Sequence, residues 1–177
     1  HARDHADKIM RLDDKTFLKA LQQQFGWRLG HFIQVGQRHA YPLRLICALQ
    51  STRPRVVIIG NAAHTLHPVA GQGLNLGLRD VASLAEAIVE SIKMEDEVGS
   101  EATLQRYMAW QQPDQKRVIT LTNTLVQVFS NAFPPLIFTR NLGLSTIDTL
   151  PLLKKQFMLQ MTGLMGYSSR LVRGLPL

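Results

Sequence analysis

Apolar residues recur at helical spacing at both ends of the chain and in β-branched runs between them. Phe17, Leu18, Leu21 and Phe25 share one side of Asp13–Phe25, the spacing of an amphipathic helix. Asp13 or Asp14 offers a cap, and Gly26 a stop. From Ile33 to Leu49 the pattern turns extended: Val35, Tyr41, Leu43, Leu45 and Cys47 favour strands, which Gly36 and Pro42 interrupt. Cys47 lies in the apolar run Leu45–Leu49 and is expected to be a buried structural thiol. Ser51–Pro54 reads as a turn. Val56–Ile59, bounded by Arg55 and Gly60, predicts a central, buried, parallel strand. Helical spacing returns with Leu74, Leu78, Val81 and Ala82, Ala85, Ile88 and Val89, and Ile92.

The last third predicts further helices. After the charged loop Met94–Ser100, Ser100 caps a helix carrying Leu104, Tyr107, Met108 and Trp110. Pro113 should kink or restart it, because proline lacks the amide hydrogen and clashes with the preceding turn. The pattern resumes from Lys116 to Phe129 and stops at Asn131–Pro135. Helical segments are expected over Leu136–Leu150 and Pro151–Met161, then a Gly/Ser-containing tail. Phe157, Met158, Met161, Leu164 and Met165 sit near Lys154, Lys155, Arg170 and Arg173. Such a methionine-rich face serves as core, as an oligomer contact, or as a lipid-facing surface.

Composition narrows the class. With 177 residues, 45% hydrophobic and 19% charged, the chain can bury a core. One cysteine excludes an internal disulfide framework and fits a reducing, cytoplasmic setting. No apolar run approaches the roughly 20 residues of a membrane span, and the first eight residues are polar and lack an initiator methionine. The net charge of +7 is uneven: residues 1–102 hold twelve Lys/Arg against eleven Asp/Glu, and residues 103–177 hold eight against two. The basic residues lie among apolar ones without the aromatic interleaving of a nucleic-acid module. A solvated face, a membrane surface or an acidic partner are the remaining readings.

The chemistry concentrates in Gly60–Asp80. A strand delivers a loop to a glycine-rich helix mouth, where Gly71, Gly73 and Gly77 carry no β-carbon to hold a flat ligand away. A helix N-terminus suits an electron-rich or anionic group. His64 and His67 have ligand-like spacing but no third metal ligand nearby, so loop hydrogen bonding is expected of them. Asn61 reads either as a ligand contact or as a left-handed turn residue. Asp80 makes a structural hydrogen bond or, like Arg79, solvates the helix, and Arg44 is a further candidate to face a ligand. The glycine spacing is Gly-x-Gly-x-x-x-Gly, which is not the pyrophosphate-binding Gly-x-Gly-x-x-Gly.

Gly60, Ala62, Ala63, His64, Pro68, Gly71, Gln72, Gly73, Asn75, Gly77 and Asp80 follow the order Gly-Asp-Ala-Ala-His, Pro, Gly-Gln-Gly-x-Asn-x-Gly, Asp. In this the chain resembles the aromatic-ring hydroxylases, the single-component FAD monooxygenases. Gly60-Asn-Ala-Ala63, Thr65-Leu-His-Pro68, Phe25-Gly-Trp-Arg-Leu-Gly30 and Tyr41-Pro-Leu43 resemble their ubiquinone-biosynthesis branch. Asn61 departs from the pattern, where most members carry aspartate.

The resemblance implies an α/β fold, the C-terminal portion of an FAD/NAD(P)-binding, Rossmann-like flavin monooxygenase. Residues 1–50 would end the substrate-domain sheet, 51–98 form the FAD-binding strand–loop–helix, and 99–177 a C-terminal helical region. It implies FAD reduced by NAD(P)H, and hydroxylation of a polyprenyl-phenol. The cofactor carries the hard step, so no catalytic side chain and no metal is implied. Gly60 and Asn61 would approach the ribityl or ribose hydroxyls, and Pro68 the isoalloxazine. The amides of Gly73, Leu74 and Asn75 would face flavin N1 and O2, with Gly71 and Gln72 completing the cofactor loop. The partners it suggests are a second copy, other ubiquinone-biosynthesis proteins, and the inner membrane as a peripheral surface. Alone, these residues are expected neither to hold FAD tightly nor to turn over. Two rivals share the loop: a hydroxylase or reductase of another aromatic or lipid substrate, and a non-catalytic module that binds membrane or partner proteins through its basic end.

Overall fold

The computed structural model describes residues 3–68, 71–131, 133–163 and 165–177. The chain divides into two compact units, residues 1–42 and 43–177. In the first, α1 (Arg3–Met10) precedes α2 (Asp14–Phe25). Asp13 caps α2 by accepting from the Thr16 amide at 2.7 Å, and Gly26 ends it at φ +81°, as the sequence predicts. The short polar α1 was not apparent from the pattern. Buried Gln22 organises the turn after α2: its side chain donates to the Gly26 and Gly30 carbonyls and accepts from the Phe32 amide. From there to Pro42 no strand forms.

The second unit opens with small antiparallel ladders. Strands β1 (Ile46–Cys47) and β4 (His64–Thr65) pair with each other, as do β2 (Thr52–Arg53) and β3 (Val56–Val57). This corrects the expected central parallel strand at Val56–Ile59. Its run folds back on the preceding residues through Pro54-Arg55, and Val56 is 55% exposed. A buried parallel strand needs parallel neighbours, and among the described residues β3 pairs only with the antiparallel β2. Cys47 is also exposed rather than buried, because β1 has a partner on one edge and no layer over it.

Helices α3 (Gln72–Lys93) and α4 (Glu101–Ser130) pack side by side and form the body of this unit. Ser100 caps α4 as expected, accepting from the Thr103 amide. Of the two outcomes expected at Pro113, the restart does not occur: α4 continues through it as one helix of 30 residues. The structure omits one helical hydrogen bond there and retains the packing on both sides. Leu66, Leu76 and Val118 make a small apolar core, with Leu45 and Ile119 against it.

The α3 stripe read from the sequence is buried only in part. Ala82 is buried and Ala85, Ile88 and Val89 are half-buried, but Leu74, Leu78, Val81 and Ile92 are all at least half exposed, whereas Gln72, Leu76, Asp80, Ser83, Ala87 and Ser91 are buried. Beyond α4, α5 (Pro134–Thr149) and α6 (Pro151–Met161) form a helical pair in which no residue is buried. The helix expected to start at Leu136 starts at Pro134, since prolines suit the first helical turn. Leu164, part of the methionine-rich face, lies outside the described residues. Among the described residues, no helix is long and apolar enough to cross a membrane.

Candidate functional site

The site is built where the β3 chain leaves Ile59 and climbs to α3. Gly60 adopts φ +57° and opens a short 3-10 turn, Gly60–Ala62. A side chain is disfavoured there on conformational grounds. Gly60 also packs against Gly77: a β-carbon placed on Gly77 would lie 3.4 Å from the Gly60 Cα. Gly77 therefore serves close packing of turn on helix rather than approach of a ligand.

Beneath this turn is a buried polar knot. The Asp80 carboxylate, fully buried, accepts four hydrogen bonds. Oδ2 takes the Gly60 amide at 2.9 Å and His64 Nε2 at 2.7 Å, and Oδ1 takes Gln111 at 2.7 Å and Gln115 at 2.9 Å. Burial pushes the Asp80 carboxyl upward. The hydrogen bonds from His64, Gln115 and Gly60 outweigh it and hold the group below the ordinary aspartate value. With Nε2 donating, His64 Nδ1 is left buried without a partner, as is the Tyr107 hydroxyl among the described residues. Burial first, and then the Asp80 charge, raise the Tyr107 phenol above its usual range. Of the two readings left open for Asp80, the structural hydrogen bond is the one made. Among the described residues no cluster of three metal-ligating side chains occurs. Gln111, Gln115 and Tyr107 were missed in the sequence. Their signal is their own spacing, every fourth residue along the α4 side that meets α3.

The loop residues divide by exposure. Asn61 is exposed and is not left-handed; its carbonyl accepts from the Thr65 hydroxyl. Pro68 is exposed, and its carbonyl accepts from the Gly71 amide at 3.2 Å. Gly71 stands at the α3 N-cap in the left-handed region, φ +61°, with no side chain capping the helix. A β-carbon on Gly73 would meet nothing within 4 Å. Leu74 is 75% exposed, and Asn75 is exposed. Gln72 is the exception, turned inward with its amide donating to the Met161 carbonyl at 2.7 Å. His67 is half-buried and Arg44 exposed.

The first turn of a helix leaves amide hydrogens without intrahelical partners. Among the described residues these amides of α3 carry no side-chain cap, and nothing lies within 4 Å of a β-carbon placed on Gly73. A helix N-terminus of this kind suits an anionic group.

Comparison with known proteins bears on the same residues. The chain is 38% identical over 172 residues to the ubiquinone hydroxylase UbiL of Rhodospirillum rubrum, covering 96% of this chain and 40% of that protein. It is 36% identical over 144 residues to the 3-demethoxyubiquinol 3-hydroxylase of Escherichia coli, covering 81% and 37%. Against the human mitochondrial ubiquinone biosynthesis monooxygenase COQ6 it is 34% identical over 126 residues, covering 71% and 27%. The chain thus spans about two fifths or less of the length of these curated relatives. The sequence profile of the FAD binding domain matches residues 2–122, a span that includes the whole turn, polar knot and helix mouth. The chain belongs to the FAD-binding domain family.

Proposed function

We propose that this chain forms the flavin-ring side of an FAD-dependent monooxygenase that hydroxylates a polyprenyl-phenol in ubiquinone biosynthesis, with NAD(P)H as reductant. The observation that carries the reading is the uncapped, accessible N-terminus of α3, set at the end of the Gly60–Ala62 turn by the Asp80 knot. The relatives' names supply the substrate class. The reading assigns α3 and the strand before it to a Rossmann-like flavin domain, whose pyrophosphate-binding glycine motif is not contained in these residues.

Bound and reduced, FAD supplies oxygen activation and transfer of one oxygen atom to the phenol ring. The residues of this chain hold and orient. The amides of Gly73 and Leu74 would face the N1–O2 edge, where a helix N-terminus stabilises negative charge by up to about 2 kcal/mol, while the Asn75 amide, one residue further on, makes the first bond of the helix to the Gly71 carbonyl. Asn61 and Gly60 meet the ribityl or ribose hydroxyls. Asn61 brings an amide that both donates and accepts, in place of an anionic acceptor. Pro68 stiffens the loop beside the ring. Gly71 turns the chain into the helix, and Gln72 keeps it there.

A polyprenyl substrate partitions into lipid, so peripheral contact with the inner membrane from the cytoplasmic side is part of the proposal. Leu152 and Leu153 beside Lys154 and Lys155, exposed at the α5–α6 turn, suit such a surface. A second copy or other enzymes of the pathway are the protein partners it allows.

The decisive experiment supplies the intact, FAD-loaded protein with NAD(P)H, labelled dioxygen, and matched prenylated and unprenylated phenols. Label from dioxygen in the ring hydroxyl of the prenylated phenol is the expected product. Label from water, or reductant oxidation with no hydroxylated product from either phenol, would rule the reading out.

A further inference from the structure

The residues after α6 return to the α3–α4 pair and are held there by side chains of those two helices. Gln72 Nε2 donates to the Met161 carbonyl at 2.7 Å, bridging 89 positions of sequence. Arg117 donates to the Met165 carbonyl. Trp110 stacks on Tyr167, with ring centroids 4.8 Å apart and planes 15° from parallel. The Glu86 carboxylate accepts the Arg170 amide at 2.7 Å, next to Ser169, which is 2% exposed. Gly163, at φ +73°, passes so close to the Arg79 guanidinium that any β-carbon would collide with it. Arg79 is itself fixed by Asp114 at 2.7 Å.

Three of these ties run from a side chain of α3 or α4 to the backbone of the returning segment. The segment is therefore held by its path as well as by its side chains. Its first tie is to Gln72, inside the helix mouth. Its last tie on α3, Glu86, lies fourteen residues along the helix, about 21 Å at the usual rise.

We infer that residues 161–163 and 165–170 act as a clasp that sets the position of the α3 mouth, and that Gln72 is a positioning residue whose side chain serves the clasp and not the flavin. This rests on the reading that the mouth receives FAD. The physical reason is the absence of a side-chain cap on α3. An uncapped first turn frays easily, since its amides have no local partner. A buried tether from the second residue of the loop to a fixed carbonyl holds that turn in register and leaves its amides free for a ligand.

Three variants of the intact protein separate the possibilities: Gln72→Ala, Glu86→Ala and Gly73→Ala. FAD affinity and the midpoint potential of the bound flavin are read alongside thermal stability. Gly73→Ala tests the mouth itself and should weaken FAD binding directly; if it does not, the placement of FAD fails and the clasp has no role in it. Gln72→Ala should weaken FAD binding about three- to tenfold, the scale of one net hydrogen bond, and move the potential to a more negative value. Glu86→Ala, remote from the mouth, should shift affinity and potential in the same direction by a smaller factor. A flavin effect from Gln72→Ala with none from Glu86→Ala would make Gln72 a direct ligand and overturn the clasp. Lower stability with unchanged flavin potential in both would reduce these ties to ordinary packing and overturn it equally. Gln72→Met guards against a folding artefact. It keeps the length of the side chain and adds no charge but removes the donor to the Met161 carbonyl, and should reproduce the Gln72→Ala shift in potential.

Discussion

Two helix pairs in this molecule are built in opposite ways. The α3–α4 pair buries polar side chains: Asp80, Ser83, Gln111, Thr103 and Ser91 are at most 3% exposed. The α5–α6 pair is rich in leucine, isoleucine and phenylalanine and buries nothing, with Phe138, Leu142 and Leu152 more than half exposed. Apolar content alone therefore does not locate the structured centre of this chain, where buried polar groups stand beside the small core of Leu66, Leu76 and Val118. A buried polar group costs little when it is paired and much when it is not. The Asp80 knot pairs both carboxylate oxygens, and its partners come from separate stretches of chain: the Gly60 turn, β4 and α4. Such a knot fixes one arrangement of those elements, and an apolar contact of equal area would tolerate several.

The largest expected effect breaks the knot. Asp80→Ala leaves the Gly60 amide, His64, Gln111 and Gln115 without their acceptor and should destabilise the intact protein by about 3–5 kcal/mol. Leu152→Ser in the α5–α6 pair should change stability by no more than about 0.5 kcal/mol. Urea unfolding of both variants measures the contrast, and equal losses would end the distinction between the pairs. The same carboxylate predicts a pH dependence. Its folded-state pKa lies below the ordinary 3.8, so its contribution is fully present above that value and is lost as pH falls through the folded pKa. Asp80→Asn should remove this acid limb from the stability profile, whereas substitutions in α5–α6 should leave it in place.

The same contrast decides how much was legible in the sequence. The cap at Asp13, the stop at Gly26, the cap at Ser100 and the helix Pro151–Met161 were readable because each depends on a few neighbouring residues. The glycine mouth was readable because its order and spacing are unusual. The buried side of α3 was not. Its apolar stripe gives the stronger periodic signal, but the residues that bond to α4 include Asp80, Ser83 and Ser91, and pattern reading assigns such residues to water. Gln111 and Gln115 were missed for that reason. The strand Val56–Ile59 was overestimated because a β-branched run reports a preference for extended backbone and says nothing of whether neighbours exist to pair with it.

A smaller effect separates binding from stability within the site. Gly73→Ala places a methyl group in open space, at a helical position where alanine is favoured over glycine by up to about 1 kcal/mol. Stability should rise while FAD affinity falls. Gly77→Ala brings its β-carbon to 3.4 Å from the Gly60 Cα, in contact with the turn that Asp80 holds, so its gain in stability should be smaller than that of Gly73→Ala and FAD affinity should be unchanged. Thermal melts with and without FAD distinguish the two. Parallel behaviour of the glycines would mean that Gly73, like Gly77, serves packing.

The smallest effect concerns the residue at which the chain departs from the pattern of its family. Asn61 is exposed and forms its only described hydrogen bond through its backbone carbonyl, so changing its side chain disturbs neither the turn nor the knot. Asn61→Asp should therefore leave stability within about 0.5 kcal/mol of the parent. A carboxylate accepts hydrogen bonds from hydroxyls roughly twice as strongly as a neutral amide oxygen does. If this position meets the ribityl or ribose hydroxyls, the substitution should tighten FAD several-fold, and calorimetric titration of the intact apoprotein reads that change directly. Unchanged affinity would detach Asn61 from the ligand. The mouth of α3 would then be the binding element, and the Gly60–Ala62 turn would serve as the support on which it rests.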